Sequence, residues 1–344
     1  MDLTPEIVRL PPPPQKKILV GVILYTHNSQ QTHRNSETMS ESSSKFTHED
    51  YTVGWICALP RTELVAAEAM LDEEHPILPA VHPQDPNVYT LGRIGDHNVV
   101  IACLPAETTG KVSAASVARD MVRSFPAVRF GLMVGIGGGV PYYGSRLDDG
   151  DTYSSDSEEE PNSDVRDIRL GDVVISLHSK DTEAVVQYDF GKSLKGKGFV
   201  RIGGKLNKPP PAVLNAVSRL QGQHVRKGTR IPQLLDMALE KYPRIAESFR
   251  YPRAAKDRLF KPRAVHNEGK RSCKHCCGPD NINLVRRPER ATSAPRIHYG
   301  TIGSADQVIR DATIRDNWAE KENIICFEME AAGMYYIYDS ELNC

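Results

Sequence analysis

Long apolar runs are scarce in this 344-residue chain. None approaches the roughly 20 residues that a membrane-spanning helix needs. The stretch Ile18 to Tyr25 follows Lys16 and Lys17, but polar residues come next and no small-residue cleavage site does. Neither a membrane anchor nor a signal peptide is expected. Charge of one sign is lacking too. Lys and Arg number 43 against 44 Asp and Glu, a net charge of −1. That excludes the basic footprint of a nucleic-acid binder. Cysteine is sparse and odd in number, at seven, and Cys57, Cys103, Cys326 and Cys344 stand alone. No disulfide framework is expected, and a reducing, cytoplasmic setting fits. Cofactor fingerprints are missing as well. In VGIGGGVP the place of the last glycine of G-x-G-x-x-G is taken by Val140, and in TTGKVS the residue after Lys111 is Val112. Neither a dinucleotide fold nor a P-loop is supported, and no redox cofactor is expected for catalysis.

What is present reads as one α/β domain. Residues 1–50 are rich in Pro, Ser, Thr, Asn and Gln, with PPPP at Pro11 to Pro14. Such a stretch buries little and is expected to be unstructured. From Tyr51, TVGWICA reads as a buried strand. Pro60 and Thr62 open a helix with Leu64, Ala67, Met70 and Leu71 on one face. NVYTLGRI and HNVVIACL form a hairpin through Gly95 and Asp96. A helix from about Lys111 carries Val112, Ala115, Ala118 and Val122 at helical spacing, and VRFGLMVGI is a further buried strand. Residues 148–167 are an acidic loop. Residues 192–296 are a polar inserted lobe with helices around PAVLNAVSRLQ and PQLLDMALEKY. RIHYGTIG, ADQVIRDATIRDNWAEK and NIICFEME read as strand, helix and strand. The domain spans 51–338, and 339–344 is a tail. Alternating strands and helices indicate a layered α/β fold around a central sheet.

Two stretches carry chemistry. Gly135, Gly137 and Gly138 follow a buried strand, where bare backbone can approach a ligand, although a tight turn would use glycines equally well. In CFEMEAAGM, carboxylates stand on an otherwise apolar strand, which is costly unless they are hydrogen-bonded or face a cavity. Strand alternation puts Glu328 and Glu330 on one face. There they could accept hydrogen bonds from a polyhydroxyl ligand, or serve only the backbone. Separately, Cys273 and Cys276 form a C-x-x-C pair with His266 upstream. That set would hold a structural zinc ion, or be free thiols on a loop.

In sequence order, YTVGWICALP, TTGKVSAASVA, VGIGGGVP, DIRLGDVVIS, IHYGTIGSADQVI and CFEMEAAG resemble the nucleoside phosphorylase and nucleosidase superfamily. The variant they resemble is the fungal one found in NLR-like proteins. The resemblance implies a three-layer α/β/α fold with a central mixed sheet. It also implies cleavage of an N-glycosidic bond in a purine nucleoside, and a homo-oligomer. The glycine loop would wall the base and ribose, Met329 would pack on the sugar, and Glu330 would bind ribose hydroxyls. The glutamate that activates water corresponds to Glu63, or to Thr62 if no gap is allowed. Met133 stands where a phosphorylase would carry an arginine for phosphate, which points to hydrolysis. The aspartate that protonates the leaving base has no counterpart, since Asp339 differs in context. The resemblance therefore implies a C-terminally truncated domain with impaired catalysis, or a nucleoside-sensing module without turnover.

Overall fold

The computed structural model describes residues 20–26, 46–80, 82–142, 166–196, 198–202, 206, 209, 211–251, 257–264, 283–285 and 287–334. The first strand, β1 (Val20–Thr26), lies within the stretch expected to be unstructured. It pairs antiparallel with β6 (Phe130–Ile136) and parallel with β8 (Val173–Ser176). The apolar run after Lys17 outweighs its Pro- and Ser-rich surroundings, because a strand between two others satisfies all its backbone groups.

The main sheet is built from TVGWICA outward. Strand β2 (Val53–Cys57) pairs in parallel with β5 (His97–Cys103) on one side and with β6 on the other. Its face nearest helix α2 (Lys111–Ser124) packs Ile56, Val100 and Ala102 against Ala114, Ala118 and Met121. Its opposite face packs Val53, Trp55, Val99 and Ile101 against Ala67 and Leu71, at the short helix α1 (Val65–Ala69). A sheet covered on both faces explains why these strands read as nearly continuous apolar runs. The layering is α/β/α, as expected. The remaining strands are β3 (Glu73–Glu74), β4 (Tyr89–Ile94), β7 (Gly138–Gly139), β9 (Val185–Gln187), β12 (Ile297–Ser304) and β13 (Ile324–Glu328). The order across the sheet is β3-β4-β5-β2-β6-β1-β8-β12-β13-β7, with β9 also pairing with β12. Parallel and antiparallel pairs mix within it.

Three local expectations shift. The buried face of α2 is Ala114, Val117, Ala118, Met121 and Val122, while Val112 is 80% exposed. The rotation of this helix is set at its first turn, where the Lys111 amide and ammonium are both held by carboxylates. The helix after β12 starts late, as α6 (Ala312–Glu322), because Asp311 caps it by accepting from the Thr313 and Ile314 amides. Strand β13 ends at Glu328, so Glu330 is past the strand rather than on it.

The inserted lobe contributes a hairpin, β10 (Gly191–Leu194) with β11 (Gly198–Arg201), and helices α3 (Pro211–Lys227), α4 (Ile231–Lys241) and α5 (Ala246–Phe249). Its later part is tied to the sheet through Asp172, whose carboxylate takes Arg290 and His298. The acidic loop up to residue 165, the zinc candidates Cys273, Cys276 and His266, and the tail 339–344 with Asp339 lie outside the described residues. Among the described residues no helix is long and apolar enough to cross a membrane, and no group of three or more metal-ligating side chains occurs.

Candidate functional site

Glu63 is placed by an extra residue in a turn. Pro60–Leu64 form a π-helical turn in which the amides of Glu63 and Leu64 both donate to the Leu59 carbonyl, at 2.8 and 3.1 Å. Such turns insert one residue and re-aim a side chain, often at functional sites. Here it swings Glu63 inward, leaving it 9% exposed. Its Oε2 accepts from the amides of Ala58 (2.7 Å) and Leu59 (3.0 Å), and its Oε1 from that of Ile136 (2.7 Å). All three contacts are donors, which suits an acceptor-only carboxylate. Thr62, the residue an ungapped count would choose, has a buried hydroxyl with no hydrogen-bond partner among the described residues.

The glycine segment lies between Glu63 and β13. A Cβ on Gly135 would sit 2.9 Å from Glu63 Oε1, so only glycine fits this approach without displacing the carboxylate. Gly138 pairs with Phe327, and Gly139 with Cys326. Gly137 and Gly139 also line a cavity of about 40 Å³ shared with Arg169, Asp257, Arg258 and Arg287. Two of those arginines are already paired, Arg287 with Asp257 and Arg169 with Asp167.

Past the end of β13 the two glutamates take different tasks. Glu328 turns its Oε2 onto the amides of Glu330 (2.9 Å) and Ala331 (2.8 Å), capping the helical turn at 331–334. This is the backbone-serving role that one reading of the sequence allowed. Its Oε1 has no hydrogen-bond partner among the described residues. Glu330 accepts from the Gly110 amide at 3.0 Å through Oε1, and from the Met329 amide at 3.2 Å through Oε2. Burial, helped by the charge of Glu328, pushes its carboxyl up to about 8, with the Gly110 amide pulling the other way. Burial pushes Glu328 up as well. The charge of Glu63 adds to the rise in both. Three carboxyls from the π-helical turn and the end of β13 therefore form one electrostatic cluster beside the glycine segment. Such a cluster favours a bound group that donates hydrogen bonds or develops positive charge.

Met133 is buried at 3% exposure, facing Ile56 in the parallel pair of β6 with β2. Arg129 is exposed, before β6 begins. Ser304, fully buried, accepts from the Ala332 amide at 3.0 Å and steadies the turn after Glu330. Reading the residues in order missed Ser304 and the Gly110 amide. The only signal for Gly110 was a glycine placed at the start of a helix.

No family model matches the chain. A nucleotide-binding leucine-rich repeat (NLR)-like protein of Hyaloscypha variabilis is 39% identical over 305 residues, which cover 89% of this chain and 27% of that protein. Among solved structures, a futalosine hydrolase mutant of Helicobacter pylori is 14% identical with a TM-score of 0.41, covering 85% of this chain and 84% of its own. A protein assigned as a 5′-methylthioadenosine/S-adenosylhomocysteine nucleosidase of Francisella philomiragia is 13% identical with a TM-score of 0.42, covering 85% of this chain and 81% of its own. The chain spans about a quarter of the length of its NLR-like relative.

Proposed function

We propose that this domain binds a purine nucleoside and hydrolyses its N-glycosidic bond. The observation that carries the reading is the meeting of Glu63, Glu328 and Glu330 in one electrostatic cluster beside the glycine segment. In this reading Glu330 takes the ribose hydroxyls and Met329 packs on the sugar. Glu63, fixed by three amides, accepts a proton from water as the water attacks the anomeric carbon. The C–N bond breaks as the C–O bond forms, and its electron pair leaves with the base. The carboxyl cluster favours the oxocarbenium-like positive character at the anomeric carbon in that transition state. Met133, apolar and buried at the place expected of a phosphate-binding arginine, favours water over phosphate.

A second reading is a nucleoside-sensing module of an NLR-like protein that binds without turnover. The 39% identity to an NLR-like protein over most of this chain favours it. One paired experiment separates the two. Release of adenine from adenosine and methylthioadenosine is followed with and without phosphate, and binding of both is measured by calorimetry. Phosphate-independent release supports hydrolysis. Binding without release supports the sensor. Phosphate-dependent release would overturn the argument from Met133.

A further inference from the structure

Lys111 carries a largely buried ammonium one residue after the Gly110 amide that meets Glu330, and its task is not explained by the helix it begins. Its side chain is 13% exposed. Nζ donates to both carboxylate oxygens of Asp189, at 2.6 and 2.5 Å, and lies 3.3 Å from Asp306 Oδ2. Its own amide donates to Asp306 Oδ1 at 2.8 Å. Asp189 is further held by the Asp306 amide (3.0 Å) and Gln187 Nε2 (2.9 Å). One lysine therefore ties together the start of α2, the segment after β9 and the segment after β12.

The same residue meets the site through its backbone. The amide preceding it, on Gly110, is the one that donates to Glu330 Oε1. Its carbonyl lies where a side chain on Gly333 would begin, 1.9 Å from a Cβ built there, so the turn after Glu330 is packed directly on Lys111. A buried ion pair adds little net stability, since desolvation offsets the attraction, and its best-attested use is to fix one arrangement. Here the arrangement fixed is the approach of an amide to Glu330.

We infer that Lys111 is a positioning residue, which clamps the first turn of α2 so that the Gly110 amide stays on the Glu330 carboxyl. The inference rests on the reading of Glu330 as the group that meets the ligand's hydroxyls, but its test does not. The groups around Glu330 are Glu328 from the end of β13, Glu63 from the π-helical turn and the Gly110 amide from α2. Asp189 and Asp306 lie beyond, paired to Lys111. Loosening the clamp weakens the amide's pull, and the carboxyl then titrates higher.

The test is a side-chain carboxyl NMR titration of isotopically labelled protein, with Glu330→Gln used to assign the Glu330 resonance. Lys111→Met is expected to raise the Glu330 midpoint by about half a unit or more, and Lys111→Arg to restore most of it. Adenosine affinity measured on the same samples is expected to fall about tenfold in Lys111→Met, the scale of one lost hydrogen bond. Arg201→Met is the control. It removes another partly buried ion pair, to Glu183 and Glu322, away from Glu330. An unmoved midpoint in Lys111→Met, or an equal shift in Arg201→Met, overturns the inference. If Lys111→Met does not fold, Asp189→Asn takes its place, with a smaller shift in the same direction expected and no shift overturning the inference. A parent protein that does not bind adenosine would defeat the nucleoside reading, while the titration would still decide the role of Lys111.

Discussion

Glu63 and Gly135 occupy each other's space: the carboxylate Oε1 lies 2.9 Å from where a methyl group on Gly135 would stand. The carboxylate cannot yield cheaply, because three amides hold it. Gly135→Ala should therefore displace Glu63 rather than be absorbed. We expect a loss of about 1–3 kcal/mol in stability from overpacking. Adenine release should fall about 100-fold, the scale of a misplaced catalytic group. Thermal melts and the release assay read both effects. Parent-like release from a folded variant would separate Glu63 from the chemistry.

The π-helical turn makes a sharp distinction between neighbours. Thr62→Val removes a buried hydroxyl that has no hydrogen-bond partner among the described residues, so stability should hold or rise slightly. Release should stay within about twofold of the parent, since the lost hydroxyl holds none of the described residues in place. Glu63→Gln keeps the shape but turns an NH₂ toward backbone donors. It should cost about 1–3 kcal/mol and lower release about 100-fold or more. The opposite ranking, with Thr62→Val the more damaging, would assign water activation to the ungapped position.

Glu63 was ambiguous in the sequence, whereas Glu328 and Glu330 stood out together in CFEMEAAG, because carboxylates in an apolar run demand an explanation; the separate task of Glu330 is what the family resemblance implies. The alternation of β2, α2, β6, β12 and β13 was equally legible, since buried parallel strands and amphipathic helices write their periods into the chain. An inserted residue in a turn leaves no period, so counting could not choose between Thr62 and Glu63. The break at Glu328 was invisible for a similar reason. It depends on a side chain folding back onto the amides of Glu330 and Ala331. The face of α2 was misjudged by including Val112, because that helix is oriented by Asp189 and Asp306, about 80 and 195 residues away in sequence. Strand β1 was obscured by the polar composition on both sides of a short apolar run.

The raised carboxyl of Glu330 sets a pH dependence. Its folded value is about 8 against an ordinary 4.5. The folded state therefore binds a proton that the unfolded state has released across that window. Stability from this group is fully present below about pH 4.5 and is lost as pH rises toward 8. The loss is on the order of a few kcal/mol at most, shared with Glu328 because the two titrate together. Glu330→Gln, which cannot ionise, should flatten this decline and be the more stable protein above pH 8. Melting temperatures of parent and variant between pH 5 and 9 test the point, and parallel curves would remove Glu330 as the titrating group.

Asp172 supplies the opposite dependence at the acid end. Burial alone would raise its carboxyl, but the Arg290 and His298 hydrogen bonds and the amides of Arg296 and Arg169 outweigh that and hold it well below its ordinary 3.8. A depressed carboxylate stabilises the fold above the unfolded value, and that contribution is lost as pH falls below about 4. Asp172 is 1% exposed, and Arg290 donates to it twice at 2.7 Å. Asp172→Asn keeps the size but leaves the buried guanidinium with Asp167 as its remaining carboxylate. Breaking one side of such a pair costs about 3–5 kcal/mol. The variant should melt well below the parent at pH 7, with the difference narrowing toward pH 3 as the parent loses the same interaction. Because Asp172 immediately precedes β8 and Arg290 belongs to the inserted lobe, early proteolysis should fall within the lobe, at 192–296. A variant cut instead in the sheet strands, or one with an unchanged acid limb, would show that the lobe is held by other contacts.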